Sequence, residues 1–162
     1  MLAVDIIINA SGVGARELAC DQKVYPVRGQ TMFVKSSYDK VKMFQGSHYT
    51  YVIPRTHSGG VIFGGVSQPH STNSEVETGL RPDILRRINS LTGNAFNWVD
   101  PERDVVQDIV GHRQYREGGI RVAREGNIVH AYGAGGLGYL YAFGMAEKVC
   151  NLIQGKPRQS KL

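Results

Sequence analysis

The sequence predicts an α+β (mixed α/β) fold, and three observations carry that reading. Residues 3–10, Ala-Val-Asp-Ile-Ile-Ile-Asn-Ala, form a nearly continuous apolar run that suits a strand buried on both faces. The middle of the chain alternates short β-branched and aromatic runs with Gly and Pro, as hairpins do. Near the end, an apolar strand at residues 127–132 passes through four glycines in six residues (Gly133, Gly135, Gly136, Gly138) into a helical pattern at residues 139–153. Buried strand, hairpins and strand–helix unit together call for sheets packed against helices.

Taken in order, the first run needs a neighbour on each edge. It starts almost at Met1, so its upstream partners are expected to be missing. Residues 11–15 form a small-residue turn, either a close approach to a ligand or a plain loop, and residues 15–20 predict a short helix. Pro26 and Gly29 bracket Val27 and Arg28 ahead of a strand at 31–35. Read alone, Arg28 is a surface cation beside a turn. Residues 48–53 alternate as a strand stopped by Pro54, with Tyr49, Tyr51 and Ile53 on one face. A turn at 55–59 returns the chain as a strand at 60–66. Residues 68–79 read as a polar loop. The helix at 81–91 has Ile84, Leu85, Ile88 and Leu91 as its apolar stripe and Pro82 in its first turn. Residues 94–104 are irregular and carry the only tryptophan, Trp98. Residues 105–115 read as a strand, with a short helix as the alternative at their start. Short strands at 120–122 and 127–132 meet at Glu125-Gly126. In the last helix Leu140, Phe143, Met145, Ala146, Val149, Leu152 and Ile153 form the apolar stripe.

Composition narrows the function. At 162 residues with 41% hydrophobic and 20% charged content, the chain can bury a real core. The net charge is +5, but Lys and Arg are scattered, with one loose cluster at Arg113, Arg116, Arg121 and Arg124. No stripe with interleaved aromatics marks a nucleic-acid binder. Cys20 and Cys150 lack metal-type spacing and read as free thiols. The histidines have no ligand spacing, no apolar run is long enough to span a membrane, and G-x-S-x-G and P-loop motifs are absent. The final residues Ser160-Lys161-Leu162 spell the receptor-read peroxisomal address.

The remaining chemistry lies in glycines, arginines and tyrosines. A strand that turns on glycines into a helix presents unpartnered N–H groups and the positive end of a helix dipole, which suits a phosphate or an electron-rich ring edge. Gly133, Gly135 and Gly138 spell GxGxxG, but no strand with an acidic residue follows the helix, so this is not a dinucleotide fingerprint. The plainer alternative is that the glycines only allow close helix–strand packing. Residues 111–121 hold His112, Arg113, Tyr115, Arg116 and Arg121 among glycines. An arginine fork fits a small carboxylate. The alternative for each is a salt bridge to Glu102, Asp104, Glu117 or Glu125.

Taken together these stretches resemble the C-terminal half of the D-amino-acid oxidase family, D-aspartate oxidases included. The resemblance rests on Ile8 to Ala15, Tyr25-Pro-Val-Arg-Gly-Gln30, Thr50-Tyr51-Val-Ile-Pro-Arg55 with Gly64-Gly65, Gly111-His-Arg113 through Arg121-Val122, and His130 through Tyr139, in the family's order over nearly the whole chain. It implies the C-terminal part of an FAD-binding Rossmann-like domain (residues 1–30 and 106–155), an antiparallel-sheet substrate domain (31–105) and a targeting tail (156–162), with the N-terminal βαβ unit missing.

The activity so implied is FAD-dependent oxidation of a D-amino acid: hydride to flavin, oxygen to hydrogen peroxide, imino acid to 2-oxo acid and ammonia. No catalytic acid or base is required. By motif match, Arg121 would pair with the substrate α-carboxylate, Tyr51 would donate to the same group, and Gly135-Gly136 would lie beside the amine. Arg113 is carried over less firmly. Ser11, Gly12, Arg28, Gly29 and Gln30 would line the flavin cleft, and Gly135 and Gly136, with Leu137, Gly138, Tyr139 and Leu140, would meet the flavin ring edge. Ser67 stands where D-aspartate oxidases tend to carry an arginine, which favours a neutral over an acidic substrate. The implied partners are the D-amino acid and the peroxisomal import receptor; family members are often homodimers. The chain is expected to be a fragment inactive by itself, and the rival reading is a non-catalytic peroxisomal binding remnant without flavin.

Overall fold

A computed structural model describes residues 5–46 and 48–155; the Ser160-Lys161-Leu162 signal lies outside them. The chain divides into two units, one of residues up to Val27 with those from Arg113 onward, the other Arg28–His112. The elements are β1 (Ile7–Asn9), α1 (Ala15–Leu18), β2 (Val24–Lys35), β3 (Lys42–Phe44), β4 (Thr50–Arg55), β5 (Gly60–Gly64), β6 (Gln68–Pro69), α2 (Arg81–Thr92), β7 (Val105–Arg116), β8 (Arg121–Glu125), β9 (Ile128–Tyr132) and α3 (Gly138–Ile153). This is the mixed α+β architecture expected. No helix among the described residues is long and apolar enough to cross a membrane.

In the second unit the strands pair in the order β3-β4-β5-β2-β6, antiparallel from β3 to β2, and β7 pairs with β2. The β4–β5 hairpin sets Tyr51 opposite Gly64 and Val52 opposite Phe63. Its turn closes on Gly59 at φ +64°, a conformation that favours glycine. Met32, Val34, Val52, Val61 and Phe63 make one wall of the core, and Ile84 and Ile88 of α2 close it with Phe96. Burying each such side chain stabilises by roughly 1.5–3 kcal/mol. Phe63 and Phe96 meet edge to face with centroids 4.6 Å apart. The helix ends at Gly93, φ +69°, where Asn94 N–H reaches Asn89 O at 2.8 Å.

Three local expectations change. Pro54 does not stop β4. The β3 partner reaches only to Lys42 opposite Val52, so Pro54 lies where β4 is paired on one side. Pro26 and Gly29 do not bracket a turn: β2 runs through both, and Pro26 precedes the stretch paired with β5, which begins at Met32. Strand β3 had no signal in the sequence.

In the first unit β1 lies parallel to β9, Ile8 opposite Val129 and Asn9 opposite His130, and β9 pairs antiparallel with β8. The order β1-β9-β8 leaves β1 at an edge. Burial on both faces, expected of this strand, is therefore not met: Ile7 and Ile8 are about half exposed at 47% and 52%. The α3 helix packs on β8 and β9. Arg124 Nη1 donates to Leu152 O at 3.0 Å, placing a cation where the helix leaves carbonyls unpartnered. The expected apolar stripe of α3 divides: Val149 is buried, whereas Leu140 and Phe143 are exposed. The helix is apolar on more than one face, and the sheet covers only one. An apolar cleft of about 650 Å³ opens beside it, lined by Ile8, Ala131, Ala134, Ala142, Met145 and Val149.

Candidate active site

The glycine turn between β9 and α3 is built against the end of β7. Gly133 has φ +87° and Gly135 φ +58°, both in the left-handed region. A Cβ on Gly133 would stand 2.9 Å from Arg116 Cβ, one on Gly135 would stand 2.9 Å from the Tyr115 ring, and one on Gly136 would touch Arg113 Cδ at 3.4 Å. The remaining residue of this stretch, Gln114, accepts the Gly133 N–H at 3.1 Å. Four consecutive strand residues thus cradle the turn, which needs glycine to come this close. Tyr115 is held in turn by stacking on Tyr25, centroids 6.0 Å apart.

The first turn of the chain reaches the same place. Gly12, φ +64°, lies over the Gln114 side chain, its Cβ position 3.5 Å from Cδ. Ser11 Oγ donates to Asn9 Oδ1 at 2.7 Å, and Asn9 faces His130 of β9 across the strand pair. Gly12 and Gly133, far apart in sequence, therefore both meet Gln114. Beyond them α3 begins at Gly138 with no side chain capping it, so its first N–H groups have no partner within the helix. Leu137, Tyr139 and Leu140 follow on the exposed side, Tyr139 being 98% exposed. A cradle that only glycine fits, opening on an uncapped helix start, suits a phosphate or an electron-rich ring edge.

Arg121, expected to meet the substrate carboxylate, is committed elsewhere. Its Nη1 donates to Tyr132 Oη at 2.6 Å and to Asp21 Oδ2 at 3.3 Å, and Nη2 pairs with Glu125. Asp21 Oδ2 also accepts from Arg116 Nε at 2.8 Å and from the Tyr132 hydroxyl at 3.0 Å. Burial pushes the Asp21 carboxyl up, but hydrogen bonds from Arg116, Tyr132 and Lys23 N–H, with the Arg116 charge, outweigh it and hold the group at about 2. Burial likewise pulls the Arg121 guanidinium down, and the bonds to Tyr132 and Glu125 more than restore it. Arg121 makes the alternative salt bridge to Glu125, and the Arg113 and Arg116 side chains lie against the glycine turn.

Arg28 and Gln30 are likewise not turned to a cleft. Both are fully buried. Arg28 donates to Asn73 O (2.9 Å), Gln68 Oε1 (2.8 Å), Gln30 Oε1 (2.9 Å) and Glu75 O (2.5 Å), and pairs with Glu77 at 3.3 Å. Gln30 donates to Glu77 O at 3.0 Å, and Gly29 is buried between the two. Together they fasten the 68–77 loop of the second unit. In that unit Tyr51 is buried at 8% exposure, its ring lying over Gly64, where an added Cβ would stand 2.1 Å from Cζ. The Gly64-Gly65 pair of the sequence thus makes room for this tyrosine.

The family model described as "FAD dependent oxidoreductase" matches residues 2–152. The chain belongs to the FAD-dependent oxidoreductase family. Among its curated relatives, a D-amino-acid oxidase of Schizosaccharomyces pombe is 37% identical over 87% of the chain and 44% of the relative. A human D-aspartate oxidase is 32% identical over 92% of the chain and 44% of the relative. Among solved structures, glycine oxidase from Geobacillus kaustophilus superposes with TM-score 0.79 over 99% of this chain and 44% of that one; at 22% identity this likeness speaks for the fold. The chain spans less than half the length of these relatives.

Sequence reasoning missed Asp21 and Gln114. Nothing local marks either; each acts through a partner about 20 to 110 residues away.

Proposed function

We propose that the chain carries substrate- and flavin-facing parts of a D-amino-acid oxidase, and that the whole enzyme oxidatively deaminates a D-amino acid. The observation that carries this is the glycine turn cradled by Arg113, Gln114, Tyr115 and Arg116 at the uncapped start of α3. The names of the relatives support the reaction class. The chemistry that FAD supplies when bound is acceptance of a hydride from the substrate α-carbon, followed by reduction of oxygen to peroxide. Loss of that hydride and of a proton from nitrogen turns the C–N bond into C=N; water then adds and ammonia leaves, giving the 2-oxo acid.

The chain's residues orient rather than react. Arg113 is the proposed partner of the substrate α-carboxylate, because its stem rests on Gly136 at the glycine turn. A bidentate fork fixes the carboxylate and with it the direction of the α C–H bond. The Gly135-Gly136 backbone is the proposed neighbour of the amine. The N–H groups of Gly138, Tyr139 and Leu140 are proposed to face the ring edge where negative charge grows, fixed dipoles that favour the reduced form. Ser67, where an arginine would serve an acidic side chain, supports a neutral substrate. The half-exposed β1 and the exposed side of α3 are surfaces that the remainder of the family's fold is proposed to cover.

The test is the visible spectrum of the whole enzyme purified with FAD, taken anaerobically with D-alanine. Bound flavin bands that bleach, and fail to bleach in Arg113→Leu with flavin still bound, are the expected result. A folded enzyme that retains no flavin overturns the cofactor assignment. Bleaching that survives Arg113→Leu overturns the role of Arg113.

A further inference from the structure

Asp21 lies in the turn after α1, and the ends of β7, β8 and β9 meet on it. One of its oxygens, Oδ2, accepts from Arg116 Nε at 2.8 Å, the Tyr132 hydroxyl at 3.0 Å and Arg121 Nη1 at 3.3 Å; the other accepts Lys23 N–H at 3.2 Å. The carboxylate is nearly closed off from solvent, at 7% side-chain exposure. Two of its three side-chain donors flank the glycine turn. Tyr132 is the residue before Gly133, and the Arg116 stem stands 2.9 Å from where a Gly133 Cβ would be. Arg121 has a second carboxylate in Glu125, whereas Arg116 pairs only with Asp21 among the described residues; its Nη1 goes to the carbonyls of Glu117 and Gly119.

We infer that Asp21 is a positioning residue for the glycine turn: it holds Tyr132 and Arg116 on one oxygen and thereby sets where Gly133 starts and where the N–H groups beyond it aim. The physical need is plain. Gly133 and Gly135 have wide conformational freedom, so neither keeps the turn in one shape by itself. Fixed dipoles act on a ligand only if they stay put, and a misplacement of about 1 Å can lower a rate 10²-fold. A neutral acceptor at position 21 would leave Arg116 without a counter-charge in a closed site. The consequence for flavin rests on the function proposed above; the effect on the turn does not.

Glycine amide exchange and FAD titration separate the two. In ¹⁵N-labelled full chain, Asp21→Asn, checked for a cooperative melt, is expected to exchange the Gly133 and Leu137 amides, which donate to Gln114 Oε1 and Ala134 O within the turn, at least tenfold faster. The Gly60 and Gly64 amides of the other unit and the strand amides of β8 and β9 should speed up less, by no more than the loss of global stability requires. FAD affinity of the whole enzyme should fall at least tenfold. Tyr132→Phe, which removes one donor and leaves both arginines on Asp21, should move the same amides less, and it decides the matter if Asp21→Asn does not fold. Unchanged turn amides in the folded variants overturn the inference. So does a rise shared equally by β8 and β9, which marks Asp21 as a general stabiliser. If the whole wild-type enzyme holds no FAD, the cofactor assignment fails while the amides still test the anchor.

Discussion

Replacing Arg28 by methionine should destabilise the chain by about 3–5 kcal/mol, the range for breaking a buried ion pair. The structure shows why. The guanidinium is fully buried and its donors serve Asn73 O, Glu75 O, Gln68 and Gln30, with Glu77 as counter-ion. Methionine matches its length but donates nothing. Glu77, with its side chain 40% exposed, can rehydrate, but Gln30 is wholly buried. Each buried acceptor left unpartnered costs about 1–3 kcal/mol, partly offset by removing a desolvated cation. For a chain of this size the melting point should drop by roughly 6–20 °C. Urea unfolding followed by Trp98, the only tryptophan and a residue of the same unit, reads the loss directly. Arg28→Lys keeps the charge but not the fork and should fall between. A methionine variant within about 1 kcal/mol of wild type that loses flavin would refute this reasoning, because Arg28 would then be a cofactor ligand as its motif suggests.

Three further outcomes are expected. Asp21 has its carboxyl lowered from 3.8 to about 2, so its contribution of about 2 kcal/mol is fully present above pH 4 and is lost as pH falls through 2; Asp21→Asn should flatten that limb of an acid titration followed by circular dichroism. Gly135→Ala, placing a methyl 2.9 Å from the Tyr115 ring at φ +58°, should destabilise by about 1–3 kcal/mol, whereas Gly138→Ala, helical and with nothing within 4 Å, should be neutral or stabilising by up to about 1 kcal/mol, as paired thermal melts would show. If Tyr51 donates to the substrate carboxylate in the whole enzyme, Tyr51→Phe should raise KM about 3- to 10-fold with flavin affinity unchanged, in line with the loss of one hydrogen bond; steady-state kinetics on that enzyme would check it.

The parts of the fold that the sequence announced are those set by local pattern. Alternation marked β4 and β5, the 3.6-residue stripe marked α2 with Ile84 and Ile88 inward, and the glycines marked the turn after β9. What stayed hidden depends on distant partners. Arg28 resembles any arginine beside a proline until a loop 40 to 49 residues later folds onto it. The motif match favours Arg121 over Arg113; the structure pairs Arg121 with Asp21, which no pattern singles out, and sets the Arg113 stem on Gly136. The stripe on α3 misled for another reason: Leu140 and Phe143 fit helical spacing, but the three-stranded sheet of that unit covers one side of the helix.

The seating of Tyr51 over Gly64 bears on how this sequence can change. Residues 51 and 64 face each other across a hairpin, and the ring occupies the volume of any side chain at 64. For drift or for a directed library the two positions behave as a single locus: a side chain enters at 64 only once the ring at 51 has shrunk or swung away. Libraries that randomise position 64 while holding tyrosine at 51 will return mostly glycine, and that enrichment will report steric exclusion rather than catalytic demand.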